Sequence, residues 1–594
     1  MKKYILILCC ALIAINAFCQ VQYNNMAANM GIQHNYVGLL GGGVSFVDFN
    51  NDGRDDITIA TGGGEKIHFY QNNENGFVKI AEPVSDTGQT KQILWVDFDN
   101  DGDKDLYITN YGSPNRLYRN NGAFIFDDIT EIAGLPINNY NTYGACFGDI
   151  DRDGWLDLYY NDRIPFMTSE NRHYLFKNNA DGTFTDITDV SHTKDGGKVP
   201  FCSAFIDYNN DKWPDIYTAH DKINIANVLL ENNGNGTFSD VSAASNSDIK
   251  MDAMCVNPGD YNNDGRIDIY ITNTPMGGSA LLHNIGPGGG GQFKFGNAAL
   301  FAGVNFPGRT GWGSVFLDAD NDGDMDLYVT AADYGDIAQS NIFYLNNGNN
   351  TFSKPDAGFA GDTTITYNTC IGDSNNDGFP DILVLNQAPF STQLWQNNGG
   401  DHNWIKIKLQ GVLSNRDAIG SKIEIYSGGQ YQMRYILCGN GFLGQNALTE
   451  IIGLKNNQKA DSIIITWPTG HTDKLFDIAS GEYLNVMEGS TTNGEIHVDE
   501  DVHLTTGPTY STSGQRESAF FIYPNPASDV LHIQPNSNTF IRYIILTAKG
   551  QIVYSIKPTS TDSALNISTL FPGHYYLLGI DKNGIKHIER WVKF

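Results

Sequence analysis

The chain is short of positive charge. Its 594 residues hold 38 Lys plus Arg against 67 Asp plus Glu, a formal charge of −29. Such a surface repels phosphate backbones and anionic lipid, which excludes general nucleic-acid binding and docking through a polybasic patch. Cysteine is scarce too: eight residues with no Cys-x-x-Cys pair indicate neither a disulfide scaffold nor a thiolate zinc site. Beyond the first twenty residues no apolar run approaches 18, so no transmembrane segment is expected in the mature chain. Gly-x-Ser-x-Gly, a Walker sequence and His-Glu-x-x-His are all missing. What is present is 41 % hydrophobic and 12 % aromatic, enough for packed cores, in a chain too long for one ordinary domain.

At the amino terminus, Lys2 and Lys3 precede an apolar run ending near Phe18, then Cys19-Gln20. This reads as a secretory signal over 1–19, cut after Cys19. A lipidated Cys19 is the less favoured reading, because Asn16 and Phe18 fit it poorly. Of the five remaining cysteines, Cys146, Cys202, Cys255 and Cys370 stand three or five residues before a repeated acidic motif, and Cys438 stands apart. Buried free thiols are expected, with an inter-repeat disulfide as the alternative.

The acidic motif is the central feature. Asp-x-Asp/Asn-x-Asp-Gly-x-x-Asp-Ile/Leu starts at Asp48, Asp97, Asp149, Asp207, Asp260, Asp318 and Asp373, at spacings of 49, 52, 58, 53, 58 and 55 residues. Side-chain oxygens at positions 1, 3, 5 and 9, with a backbone carbonyl at 7, can wrap a hard cation, and Gly at 6 supplies the positive φ of the tight turn. The candidate ligands are Asp48, Asn50, Asp52 and Asp56 in the first loop and Asp97, Asp99, Asp101 and Asp105 in the second. The third has Asp149, Asp151, Asp153 and Asp157, and the fourth Asp207, Asn209, Asp211 and Asp215. The fifth has Asp260, Asn262, Asp264 and Asp268, the sixth Asp318, Asp320, Asp322 and Asp326, and the seventh Asp373, Asn375, Asp377 and Asp381. An all-oxygen set favours Ca²⁺, at up to seven sites, over zinc or copper. Loops two, three and six carry four carboxylates and are expected to bind most tightly. The fourth, with Asn209 and with Lys212 in place of Gly as a competing cation, is expected to be weakest.

An EF-hand does not fit, because position 12 is Ile59, Ile108, Tyr160, Thr218, Ile271, Val329 or Val384 rather than Glu, and apolar residues alternate with period two on both sides. Each loop therefore joins two strands. Between loops recurs Asn-Asn-Gly or a variant, as at Asn120-Asn121-Gly122, Asn232-Asn233-Gly234 and Asn346-Asn347-Gly348, a hairpin signal. The fifth copy, Asn284-Ile285-Gly286, runs into glycines 288–291 and reads as a hairpin tip. Two hairpins per unit make one propeller blade. The fold class is all-β: a seven-bladed β-propeller over 20–400, closed by a strand from 24–36, followed by a small β-domain and a C-terminal β-sandwich. The spacing leaves a degenerate eighth blade open. These loops resemble the FG-GAP and VCBS repeats of integrin α-subunit propellers and many secreted bacterial proteins, whose loops bind calcium.

Residues 401–489 lose the acidic bias. Ser414-Asn415-Arg416-Asp417-Ala418-Ile419-Gly420, Gly439-Asn440-Gly441 and Trp467-Pro468-Thr469-Gly470 resemble the ASPIC and UnbV domain, departing at Gly444-Gln445, where Ser-Gln is usual. Arg416 and Asp417 read as a structural turn pair, with ligand contact as the alternative. After a polar linker at 490–518, Pro524-Asn525-Pro526-Ala527, Leu570-Phe571-Pro572-Gly573 and the closing Lys593-Phe594 make 519–594 resemble a type IX secretion sorting domain. That resemblance implies engagement of the secretion machinery and export across an outer membrane, then release or surface attachment.

Two functions remain. The leading one is a secreted or cell-surface calcium-binding scaffold for binding or adhesion, with an extracellular protein or glycan ligand. The alternative is a carbohydrate-active enzyme of polysaccharide lyase or sugar dehydratase type on a calcium-stabilised propeller, with His34, His68, His173, His220 and His471 as residues that could meet at its mouth. The charge itself is already assigned in large part: 20–400 holds 49 acidic and 20 basic residues, and 24 of the acids stand at ligand positions.

Overall fold

The computed structural model describes residues 21–163, 172–194, 197–332, 341–439 and 441–492, then 498–499, 502 and segments of the C-terminal domain between 520 and 593. The signal over 1–19, Asn440 and the motif at 524–527 lie outside the described residues.

Each repeat folds as four antiparallel strands. In the first, Val44–Val47 pairs with Asp56–Ile59 across the acidic loop, and His68–Asn73 and Gly76–Lys79 follow as the second hairpin. The apolar alternation supplies strands buried on both faces, as Val44, Phe46, Ile57 and Ile59 show. Among the described residues seven such units succeed one another, and all-β propeller architecture is the result. The seventh consists of Thr366–Gly372, Asp381–Asn386 and Gln393–Asn397, with Tyr23–Asn25 from the start of the chain as its fourth strand. Tyr23 stands opposite Asn397, so the ring closes by pairing its two ends, as the sequence led us to expect. Neighbouring units wedge together at a glycine: a Cβ on Gly148 would lie 2.7 Å from the Phe205 ring, and one on Gly372 2.6 Å from Phe46. All five cysteines described are buried and free, so the disulfide alternative falls.

The next domain has two sheets. One is Glu450–Lys455, Asn403–Gln410 and Tyr483–Met487, the last pair parallel. The other is Gln430–Tyr435, Lys422–Ser427, Lys459–Thr466 and Thr472–Ala479. This domain seats on the ring, sharing a core in which Ile405, Ile423, Ile465 and Trp467 pack with Leu94, Phe98 and Phe147.

It also fills the axis of the ring. Residues 438–439 and 441–447 run against the innermost strands of several units. Phe147 N–H donates to the Cys438 carbonyl at 3.1 Å, Gly441 N–H to the Val256 carbonyl at 2.7 Å and Ala447 N–H to the Ile371 carbonyl at 3.0 Å. Gln445 exchanges backbone bonds with Val44 and Phe46, and its side-chain amide accepts from Trp95 N–H and donates to Trp95 C=O, both at 2.8 Å. Phe442, fully buried, meets Trp312 and Phe201 at centroid distances of 5.2 and 5.9 Å. The inner strands of a propeller face one another across an axis too wide to pair directly, and here the plug takes up their free edges. Toward the C-terminus, Phe520–Tyr523, Val530–Pro535 and Ser563–Asn566 face a second sheet built on Phe540–Thr547 and Gly573–Asp581, around Leu531, Ile533, Tyr543 and Leu577.

Replacing Gln445 by Ala strands the buried amide and carbonyl of Trp95. The expected loss is about 2–4 kcal/mol, read as a lower denaturation midpoint of the full chain. An unchanged midpoint would show that the plug is not a structural member of the ring.

Candidate metal sites on the loop face

All seven loops are built alike, and their hydrogen bonds explain the spacing of the motif. In six of them the carboxylate at position 1 accepts from the N–H groups of positions 5 and 6: Asp149 from Asp153 and Gly154, both at 2.9 Å, and Asp318 from Asp322 at 2.9 Å and Gly323 at 3.0 Å. Two residues with positive φ make this turn, Asn51 at 59° and Gly53 at 87° in the first loop. Position 9 clamps the loop to the second hairpin. One oxygen of Asp56, Asp105, Asp157, Asp215, Asp268, Asp326 and Asp381 accepts from the N–H of Asn72, Asn120, Asn178, Asn232, Asn284, Asn346 and Asn397, at 2.6–2.8 Å.

Those seven asparagines are the first Asn of the hairpin signature, and sequence reasoning gave them only a turn. In six of them the side-chain amide also donates to position 2 of the preceding loop, as Asn178 does to Phe98 at 2.9 Å and Asn397 to Ala319 at 2.7 Å. A second ring of bonds joins the loop tips. The Asn at position 4 donates to the position-6 carbonyl of the next loop: Asn51 to Gly102, Asn100 to Gly154, Asn210 to Gly265, Asn263 to Gly323, Asn321 to Gly378 and Asn376 to Gly53, at 2.9–3.3 Å. The missing joint is between loops three and four, where Arg152 replaces the Asn and Lys212 the Gly. Arg152 packs on Trp213 and bonds Asp499 at 2.7 Å, and Lys212 reaches the same Asp499 at 2.8 Å. Lys212 holds a φ of 74° as expected, but its ammonium points away from Asp207 and Asp211, so it is not the competing cation we anticipated.

The competing cation lies elsewhere. Lys177, on the strand behind the third loop, contacts Asp151 directly and lies 3.4 Å from Asp153. The second domain supplies others. Lys408 sits 3.1 Å from Asp48, Arg416 3.6 Å from Asp97, Arg434 3.9 Å from Asp318 and Lys406 2.9 Å from Asp373. Four position-1 carboxylates thus meet a basic side chain of the covering domain. Arg416 and Asp417 belong to this seam: the Asp417 carboxylate accepts Asp97 N–H at 2.8 Å and pairs with Lys104.

Three loops bring carboxylate oxygens within 4.8 Å of one another: Asp97, Asp99 and Asp101; Asp149, Asp151 and Asp157; Asp318, Asp320 and Asp322. Buried oxygens at ligand positions also lack any hydrogen-bond partner, namely Asp97 Oδ1, Asp151 Oδ1, Asn262 Oδ1 and Asp268 Oδ2. Buried acceptors without donors are costly, and a cation among them satisfies both charge and lone pairs. The donor chemistry therefore fits a hard cation. The five histidines do not converge. His34 and His68 form one half-buried pair with centroids 4.7 Å apart, His173 and His220 a buried pair with Nε2 atoms 3.4 Å apart, and His471 lies in the second domain beside Asp473. Burial lowers His34 to about 4 and His173 to about 3.

Fold and loop face together define the class, an all-β propeller protein crowned by repeated acidic loops. More particularly, the repeats match the FG-GAP-like repeat over residues 48–108, 97–160, 166–218, 207–271 and 260–329. Residues 411–493 match the ASPIC and UnbV family and 521–593 the secretion system C-terminal sorting domain. The chain carries all three, and its sorting domain marks it for export across the outer membrane to the surface or the medium. Cartilage acidic protein 1 of Homo sapiens is 25 % identical over 301 residues, 49 % of this chain and 44 % of that protein, and that of Xenopus tropicalis 24 % over 314 residues, 49 % and 45 %. The chain thus spans less than half the length of these curated relatives. Among solved structures, PorZ, a surface component of the type-IX secretion system of Porphyromonas gingivalis, is 11 % identical with a TM-score of 0.22, covering 93 % of this chain and 81 % of its own. The extracellular domain of a putative one component system of B. thetaiotaomicron is 10 % identical with a TM-score of 0.38, covering 96 % and 99 %. Scores this low carry no functional argument. No helix among the described residues is long and apolar enough to cross a membrane.

In the chain alone, burial raises Asp149 to about 6, and burial with neighbouring carboxylates raises Asp207 and Asp260 to about 7 and Asp56 to about 8, against 3.8 for an ordinary Asp. The native state then binds more protons than the unfolded one between about pH 4 and 8, so its stability is present at the acid end and lost as pH rises through these values. In EDTA the melting temperature is expected to fall steadily from pH 5 to pH 8. A rise over that range would contradict the raised carboxylates.

Proposed function

We propose that this is an exported scaffold protein whose loop face is loaded with calcium and whose surface binds an extracellular protein or glycan. The partnerless buried oxygens of Asp97, Asp151, Asn262 and Asp268 carry the reading, because they sit at the positions that the motif reserves for ligands. Carboxylates, Asn amides and carbonyls in one flexible loop suit the six to eight oxygens of Ca²⁺ better than the strict octahedron of Mg²⁺. When bound, calcium supplies the positive charge that these carboxylates need at neutral pH. The chain's own part is to hold the ligands: position 1 through two backbone N–H groups, position 9 through the hairpin Asn.

The sixth loop is the strongest site, since Arg434 and Lys455 approach it only to 3.9 Å. The second follows, with Arg416 at 3.6 Å from Asp97. The third is weaker than its four carboxylates imply, because Lys177 already occupies their field. The first, fourth, fifth and seventh, with three carboxylates each, rank below the sixth and second. A carbohydrate-active enzyme on this fold is the other reading, and no observation favours it. The histidine pairs are engaged with each other, with Asn161 and with the Ala60 carbonyl.

Calcium should raise the melting temperature and EDTA lower it, since a cation bound only by the native state stabilises that state. Asp320→Asn, which takes a charge from the sixth loop, should remove more of the calcium-dependent rise than Asn209→Asp adds by restoring one at the fourth. Lys177→Met should strengthen calcium binding at the third loop by roughly fivefold to tenfold, about 1 kcal/mol for a screened charge at close range. A transition indifferent to both calcium and EDTA would remove the calcium reading.

A further inference from the structure

A cleft of about 690 Å³ opens between the first two acidic loops and the covering domain. It falls within the range of about 300–1,000 Å³ usual for small-molecule sites, and it lies at a domain junction, where such sites concentrate. We propose that this cleft binds a neutral saccharide chain. The inference rests on the binding-scaffold reading and gives that scaffold a ligand class and a place.

The lining decides the class. Tyr483 and Asn485 stand two apart on the edge strand Tyr483–Met487, so both project from one face, and both are exposed, Tyr483 to 42 %. Lys406 Nζ, bonded to Asp373 and Asn376, lies 5.7 Å from the centroid of the Tyr483 ring, and the exposed part of that ring lines the cleft. An aromatic ring with an accessible face receives the C–H face of a sugar, burying apolar area without an ordering cost in the protein. Asn51, Gln410, Thr449 and Asn485 bring amides and a hydroxyl, and Asp103, whose side chain lies outside the ligand positions, brings a carboxylate that accepts from sugar hydroxyls.

An anionic ligand does not fit. Each basic group in the lining is engaged by an aspartate: Lys104 by Asp417, Lys408 by Asp48 and Arg416 by Asp97. No basic group is left to pair with uronate, sulfate or phosphate, and Asp55 and Asp103, outside the side-chain ligand positions, add negative charge whether or not calcium is bound. A polycation would be drawn by that charge but would find no use for the ring and amides.

The experiment is titration calorimetry on the full chain in calcium, with cellohexaose, xylohexaose and mannohexaose as probes and with oligogalacturonate and spermidine beside them. At least one neutral oligosaccharide is expected to bind. Tyr483→Ala should weaken it by about tenfold or more, Tyr483→Phe should restore it and Asn485→Ala should weaken it severalfold, with the melting temperature unchanged because both side chains are exposed. Absence of binding by all three neutral probes overturns the proposal. So does binding indifferent to Tyr483→Ala, or competition from oligogalacturonate or spermidine at the same site. The calcium-dependent melting shift is measured on the same samples, so loss of the saccharide site alone leaves the calcium scaffold standing.

Discussion

Repulsion among carboxylates on one face governs this molecule. The loops of a propeller made from one repeated motif all emerge at the same end of the ring, so 24 ligand-position aspartates are gathered where each worsens the desolvation of the next. Asp97, Asp105, Asp157, Asp318 and Asp326 are all held well above the usual carboxylate range by burial and by their own neighbours. Three devices offset this. Backbone N–H groups point at position 1 and position 9, Lys177 enters the third loop, and the covering domain sets Lys406, Lys408, Arg416 and Arg434 against four of the seven position-1 carboxylates. A basic patch on the second domain was invisible in its near-neutral composition because these residues come from two strands, Asn403–Gln410 and Gln430–Tyr435, and the turn after the first.

The period of the acidic motif and the alternation around it made the propeller legible, and the first strand's return to Asn397 was legible as a need for closure. The ring of Asn bonds was not. Asn before Gly reads as a hairpin because both tolerate positive φ, and nothing local distinguishes a turn residue from one whose amide also reaches the preceding loop. Lys212 shows the limit in another way. Read alone it was a rival cation standing in place of a turn glycine. In three dimensions it answers Arg152, 60 positions earlier, since each occupies one side of the single joint where the Asn–Gly bond is absent, and Asp499 closes that joint instead. Paired departures from a repeat are visible in a sequence only when the geometry that couples them is known.

The axial plug was likewise beyond sequence reasoning, although its residues had been noticed. Gly439, Gly441 and the Gly444-Gln445 pair stood out as motif, without chemistry. Their role is steric and backbone-based: a Cβ on Gly439 would fall 2.4 Å from the Ala145 carbonyl oxygen, so only glycine lets the segment pass the third unit. The bonds it makes go to main chain on units one, two, three, five and seven. Main-chain partners leave no trace in residue type.

These contacts also limit the surface open to the ligand we propose. The axis is filled by Phe442 and its neighbours, and the loop face is covered over much of its area by the second domain. Partners drawn to bare negative charge find little of it, because most of the acidic groups are engaged by backbone N–H groups of the loops and by basic side chains of the same molecule. One gap the covering leaves on that face lies above loops one and two, where Lys408 and Arg416 reach down from the strand Asn403–Gln410 and the turn after it while the edge strand with Tyr483 stands clear. The same seating that neutralises the first two position-1 carboxylates therefore creates the cleft. In the scaffold we propose, any change that weakens calcium at those loops must also alter the cleft's charge and the tightness of its floor, so cation binding and ligand binding are coupled through Asp48 and Asp97 rather than independent properties of two domains.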